Sequence, residues 1–465
     1  MTKRGTYTSV IANAPVYLII FLVLISIPLA AQFPLRLSPN HRYLVDSGQQ
    51  PFLIKEFSAW GLIQALSEAD ESAFLDSIKL RGFNTILVSV ISNATSQMGG
   101  NPPYWQGISP FQIEWDFSTP NEIYFQHVDR FLAMTREKGF LVLLVPCYLG
   151  YFTDGSQGWW DEVRSANNSP DKMRTYGEFL GRRYRESSNI VWVAGGDNDA
   201  KDQDEPYMQA LISGIRSADD QHLWTGHFDN TSGTFWSTDN PRYRSIMELD
   251  GLYVWKEISL GDRGPHYRAE LEQYGKGKMI FQLDMSYEHD VPHYADNEDP
   301  RWMRRKMYDG LLSGCAGTSF SSGTLDNQCY WFKNWKPLMN TPGMELANNC
   351  FKLFDALPWQ NLIPDTSDQV LLNGRGTFGQ LDFACSAKTI DGSYYVVYIP
   401  SGRTMYFNLS AISGKTIRMH WYNPRTGVFM FIGRVGKDPH FGVVTPDTDD
   451  WLLVFDANPD WQIPD

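Results

Sequence analysis

From about residue 50 the chain alternates short apolar runs with amphipathic stretches, so strand and helix periods follow one another. Phe52 to Phe57 reads as a first strand. The helix after it takes Ser67 as N-cap, carries Glu68, Asp70 and Glu71 in its first turn and stops at Gly82. Phe83 to Val90 is a second strand. Tyr124, Val128, Phe131 and Leu132 then recur at i, i+4, i+7 and i+8, one face of a helix that ends at Gly139. Phe140 to Val145 is apolar throughout, as a strand covered on both faces must be. Ser169-Pro170 opens another helix with proline at its first position, and Ile190 to Val193 is a fourth strand. His222 to Gly226, Leu252 to Trp255, Met279 to Leu283 and Thr318 to Phe320 supply strands five to eight. Repeated strand–helix units predict a parallel sheet, and eight of them close into a (β/α)8 TIM barrel. An open doubly wound sheet is the alternative, but no glycine fingerprint for a dinucleotide follows the first strand.

The period changes near Pro358 to Pro364. Beyond it come Tyr394 to Ile399, Thr404 to Leu409, Thr416 to Tyr422, Val428 to Ile432 and Trp451 to Phe455, short runs parted by Asp391-Gly392, Ser401-Gly402 and Asn423-Pro424. This predicts a small C-terminal all-β sandwich over 366–465, behind a catalytic barrel over 40–360. The 465 residues suit that division. Residues 1–31 read as a secretory signal: Lys3 and Arg4, an apolar run from Tyr17 to Leu29, then Ala30 and Ala31 before Gln32. The expected location is therefore secreted, periplasmic or at the cell surface, with no membrane attachment after cleavage.

A net charge of −13 argues against nucleic acid or an anionic membrane as partner. The 16 Trp, 23 Tyr and 27 Phe suit stacking on sugar rings as well as core packing. None of the five cysteines forms a CxxC pair, so no zinc site is expected, and no other cofactor is implied. Export permits disulfides, but the pairing is not readable from the chain.

In such a barrel, catalytic groups sit at the C-terminal ends of strands. After strand four comes Gly195-Gly196-Asp197-Asn198-Asp199, and after strand seven Asp284, then Tyr287-Glu288-His289. Hydrolysis of a glycosidic bond needs two carboxyl groups, retaining the anomeric configuration at about 5–5.5 Å separation and inverting it at wider spacing. Strands four and seven face each other across a barrel, so Asp197 and Asp284 form the expected catalytic pair, with Glu288 as the alternative to Asp284. Asp199 reads as a local cap. His227, after strand five, is either a hydroxyl contact or a packed histidine. Tyr148 and Trp255 would form a stacking wall. Trp159 and Trp160 lie in a polar loop suited to binding, and Trp105 and Trp115 in a loop that could cover the site.

The stretches Glu56 to Trp60, Phe83 to Val90, Tyr124 to Gly139, Ile190 to Asp197 and Met279 to Glu288 resemble the apiosidase-like family of glycoside hydrolases. The tail, with Trp421-Tyr422-Asn423-Pro424-Arg425-Thr426-Gly427 and Asp450-Trp451, resembles a small β-domain named for collagen binding. The resemblance spans roughly residues 40 to 460. It implies a retaining hydrolase acting on apiose-containing plant pectic glycans, with Asp197 as acid/base. The family's nucleophile, a Glu, falls on Asp284, one methylene shorter, and Phe57 stands where the family has Asp. Trp60, Tyr148, His227, Trp255 and Tyr287 are the expected substrate-binding residues. The competing reading is a non-catalytic carbohydrate-binding or surface adhesion protein on a barrel scaffold.

Overall fold

The computed structural model describes residues 1, 32–91, 105–150, 158–229, 233–254, 257–289, 300–324, 327–328, 332 and 335–459. Apart from Met1, the expected signal segment lies outside them. Eight parallel strands form the first domain: β1 Ile54–Ser58, β2 Thr85–Ser89, β3 Leu141–Val145, β4 Ile190–Gly195, β5 Trp224–His227, β6 Asp250–Val254, β7 Ile280–Met285 and β8 Gly317–Phe320. The ladder runs β8-β1-β2-β3-β4-β5, with β6-β7 as a separate pair. Backbone bonds close the two seams, Glu248 and Leu249 N–H to Trp224 O (both 3.1 Å) between β5 and β6 and Ala316 N–H to Ile280 O (2.7 Å) between β7 and β8. The closed barrel is therefore observed, and the open sheet is not.

The outer layer is α1 Glu68–Lys79, α2 Glu122–Glu137, α3 Pro170–Tyr184, α4 Glu205–Ala218, α5 His266–Tyr274, α6 Pro300–Leu312 and α7 Pro342–Ala356. Ser67 caps α1 by accepting the Asp70 N–H, and Ser169 caps α3 through Lys172 N–H. Side chains alternate across β1. Ile54, Glu56, Ser58 and Trp60 point into the barrel, while Phe57 packs outward against Phe74, Phe83 and Phe320. Phe57 thus belongs to the barrel–helix core and does not border the interior. Trp105 and Trp159 are also buried in that core, Trp105 stacked on His127 at 3.9 Å and Trp159 edge-on to Phe117. Neither lies open as a cover or a sugar platform.

Strand β7 departs from simple alternation. Met279, Phe281 and Leu283 face the interior and Ile280 the helix layer. The register with β6 shifts between Gln282 and Asp284, so Leu283 is an extra residue. This bulge turns Asp284 inward beside Leu283, where strict alternation would send it out.

The second domain is antiparallel: β9 Leu362–Pro364, β10 Leu371–Asn373, β11 Ser386–Thr389, β12 Tyr394–Ile399, β13 Thr404–Phe407, β14 Ile417–Asn423, β15 Val428–Val435, β16 Phe441–Val444 and β17 Trp451–Asp456. They form a six-stranded sheet in the order β9-β11-β12-β17-β14-β15 and a three-stranded sheet, β10-β13-β16. The Trp-Tyr-Asn-Pro-Arg-Thr-Gly stretch faces the barrel: Tyr422 Oη donates to Asn349 O of α7 (2.6 Å), and Asn349 Nδ2 donates to Pro424 O (3.4 Å). Beside it, Arg304 of α6 makes a two-pronged pair with buried Asp450 (2.6 and 2.7 Å), which also accepts from Tyr398 Oη (2.9 Å).

Candidate active site

The C-terminal ends of β1, β4, β5, β6 and β7 converge on one hydrogen-bonded cluster. Asp197 follows a backbone run that only glycine fits readily. Gly195 and Gly196 have φ of 93° and 92°, and a Cβ on Gly195 would stand 2.4 Å from His227 O. Asp197 itself has φ 59°. The sharp turn aims its carboxyl inward. Tyr148 Oη donates to Asp197 Oδ2, and the Tyr253 hydroxyl also bonds this carboxyl.

His227 joins the two acids. Its Nδ1 accepts the Asp197 main-chain N–H (3.1 Å) and lies 3.4 Å from Asp197 Oδ1, and its Nε2 is 3.0 Å from Asp284 Oδ2. Nδ1 is thus an acceptor and Nε2–H a donor, which is the neutral ring. Tyr253 stacks on one face at 3.8 Å, and Trp60 meets the ring edge-on at 4.8 Å. Asp284 accepts from Ser58 Oγ (2.9 Å), Tyr287 Oη (2.8 Å) and His227 Nε2. Tyr287 in turn accepts from Trp60 Nε1 (3.1 Å).

The two acids differ in environment. Asp197 keeps 14% of its side chain exposed and Asp284 2%. Burial holds the Asp197 carboxyl above the usual range, against the lowering effect of the hydrogen bonds from Tyr148 and Tyr253. Three donors on Asp284, with no second proton for a neutral acid to place, describe an ionised, acceptor-only carboxylate. Together the pair offers a proton donor facing the mouth and an anion beneath it.

Trp60, Tyr148, His227 and Tyr287 therefore meet at one place with Asp197 and Asp284. Tyr148 is not a free stacking wall: its ring is buried against Trp60 (5.0 Å) and its hydroxyl is engaged. Trp255 lies outside the described residues. Glu288 is turned elsewhere. Its Oε1 accepts the Gly343 N–H at the start of α7 (2.7 Å), and its backbone pairs with Ser321 and Gly323. Asp199 does not cap a helix but ties the loops after β4 and β5, accepting from Asp229 N–H (3.2 Å) and Thr234. Trp160 donates to Asp204 (2.8 Å) under the Arg164 guanidinium, and Trp115 is partly exposed. Among the described residues no group of three His, Cys, Asp or Glu is arranged to hold a metal, and the four described cysteines are free and buried.

Sequence reasoning missed Ser58, Glu56, Tyr253 and Lys306. Glu56 and Ser58 were detectable as polar residues two apart in a short strand, although Lys55 between Ile54 and Glu56 blurs the alternation. Tyr253 sits two residues before Trp255.

Residues 38–361 match the family model described as "Apiosidase-like, catalytic domain", and residues 363–456 match "Putative collagen-binding domain of a collagenase". Among solved structures, a protein named glycoside hydrolase is 21% identical with a TM-score of 0.75, covering 93% of this chain and 98% of that one. A glycoside hydrolase family 5 protein from Bacteroides vulgatus is 20% identical with a TM-score of 0.74, covering 92% and 95%. Likenesses at this identity establish the shared fold. No curated protein matches the chain.

Proposed function

The chain belongs to the apiosidase-like family and is a glycoside hydrolase, and from that premise we propose that it retains configuration while cleaving apiose-type linkages in plant pectic glycans. Asp284 attacks the anomeric carbon and the bond to the leaving oxygen breaks. Asp197 gives that oxygen its proton. Water then attacks the glycosyl–aspartyl ester, yields a proton to the Asp197 carboxylate and releases Asp284. One observation carries this reading: a single imidazole, His227, lies between a raised, partly exposed acid and a buried carboxylate with three donors. The bulge in β7 supports it too, because it brings the shorter Asp side chain inward at the position where the family has Glu.

The test is hydrolysis of apiose-containing pectic oligosaccharides by the parent, Asp197→Asn and Asp284→Asn, with the anomer of the first product read by NMR. Both variants should lose turnover and the parent should give the retained anomer. Unchanged turnover in either variant removes that residue from the chemistry. An inverted product replaces attack by Asp284 with attack by water.

A further inference from the structure

Below Asp284 lies a second buried carboxyl, Glu56, and a buried ammonium, Lys306. All three groups are buried, with Glu56 and Lys306 wholly inaccessible. Lys306 comes from α6, on the outside of the barrel. Its root sits over the β7–β8 seam: Gln282 Nε2 of β7 donates to Lys306 O (2.9 Å), and Thr318 Oγ1 of β8 donates to Gln282 Oε1 (2.5 Å). Its Nζ donates to Ser286 O (3.1 Å), just past the nucleophile, and faces Asp284 and Glu56.

The hydrogen bonds assign the charges. Ser58 Oγ lies 2.9 Å from Asp284 Oδ1 and 3.4 Å from Glu56 Oε2. A hydroxyl has one proton to donate, and the nearer acceptor is Asp284. The order Glu56 O–H to Ser58, Ser58 O–H to Asp284 uses each group once and leaves a single negative charge on Asp284. One anion and one ammonium together leave the buried set neutral, as burial in a low dielectric requires. The other groups facing this set are Tyr287 and neutral His227, both donors to Asp284, and Asp197 and Tyr253, which also feel the Asp284 charge.

We propose that Lys306 is a positioning residue that keeps the negative charge on Asp284 while Glu56 holds the shared proton. The proposal rests on Asp284 being the nucleophile. Two further facts agree with it. Burial, with the Asp284 charge adding to it, drives the Glu56 carboxyl well above the usual range. Burial also lowers Lys306 to about 8, so the ammonium persists at neutral and acid pH.

The experiment measures kcat/KM against pH on apiose-containing pectic oligosaccharides for the parent, Lys306→Met and Lys306→Gln, with Asp284→Asn alongside. Removing the cation removes the charge that favours the anion of the buried pair over its protonated form. The acidic limb should move up by about one unit in both Lys306 variants, a tenfold loss of kcat/KM on the acid side, with the alkaline limb in place. A folding defect lowers the whole profile without moving its inflections. Lys306→Gln keeps a donor for Ser286 O and serves if the Met variant does not fold. An unmoved acidic limb in folded Lys306→Gln overturns the proposal, as does a shift confined to the Met variant, which would assign Lys306 only its Ser286 bond. If Asp284→Asn retains turnover, the failure lies with the nucleophile assignment instead.

Discussion

Two cations two residues apart on α6, Arg304 and Lys306, leave opposite sides of the helix and enter two different buried clusters. Arg304 goes to the second domain, where a planar fork meets Asp450 in two short bonds and Tyr398 supplies a third. Lys306 goes to the end of β7, where its buried ammonium bonds Ser286 O and feels the charges of two carboxyls. The first cluster pairs one charge with one charge and holds two domains together. The second has more acids than cations, so a proton must be shared, and the proton's place has chemical consequences. Burial alone does not distinguish a clamp from a site; the balance of charges does.

The largest effect should separate the two clusters by activity. Asp197→Asn should lower kcat by about 10²–10⁴, the range for a lost general acid, with the denaturant midpoint unchanged. Arg304→Met should do the reverse. It strands Asp450 in the interface, costing about 3–5 kcal/mol of stability by urea unfolding, while kcat/KM per folded molecule stays constant. A large loss of specific activity in folded Arg304→Met would break the comparison.

The clamp side also carries a pH signature. Asp309, three residues past Lys306, is pushed up to about 7 by burial. It is protonated in the folded chain and ionised in the unfolded one between about pH 4 and 7. Unfolding therefore releases a proton there, and stability from this group falls as pH rises through that window. Asp309→Asn should flatten the pH dependence of the unfolding free energy between 4 and 7, and an unaltered slope would show that the proton resides elsewhere. The smallest effect belongs to Glu288→Gln. The amide oxygen can still accept the Gly343 N–H, so the loss should stay within about 1 kcal/mol, with kcat within threefold. A loss of turnover matching that of Asp197→Asn would bring Glu288 back into the chemistry.

Much of this was legible in the chain. Alternating periods marked all eight barrel strands to within a few residues, and Gly195-Gly196-Asp197 stood out because two glycines before an acid predict a sharp turn. The pairing with Asp284 followed from opposite strand positions. Its inward aim did not, because a stretch over 279–283 that is apolar except for Gln282 has no phase that reveals an inserted residue. Glu56 was visible beside Lys55 as one of two charges in a short strand, yet which face each took depended on the barrel's closure. Lys306 lies among Arg304 and Arg305 on a helix buried on every side. There a basic stretch looks like a solvated surface until the second domain is seen to cover it. Trp105 and Trp159 misled for the converse reason: long loops after β2 and β3 contribute their own aromatics to the core.

The turn at Asp197 carries one more consequence. The group that tells His227 which nitrogen bears hydrogen is the amide of residue 197, not its carboxyl. That instruction is written in the main chain and survives exchange of the side chain. Substitutions at 197 other than proline accordingly leave the tautomer of the ring in place, held from one side by this amide and from the other by Asp284.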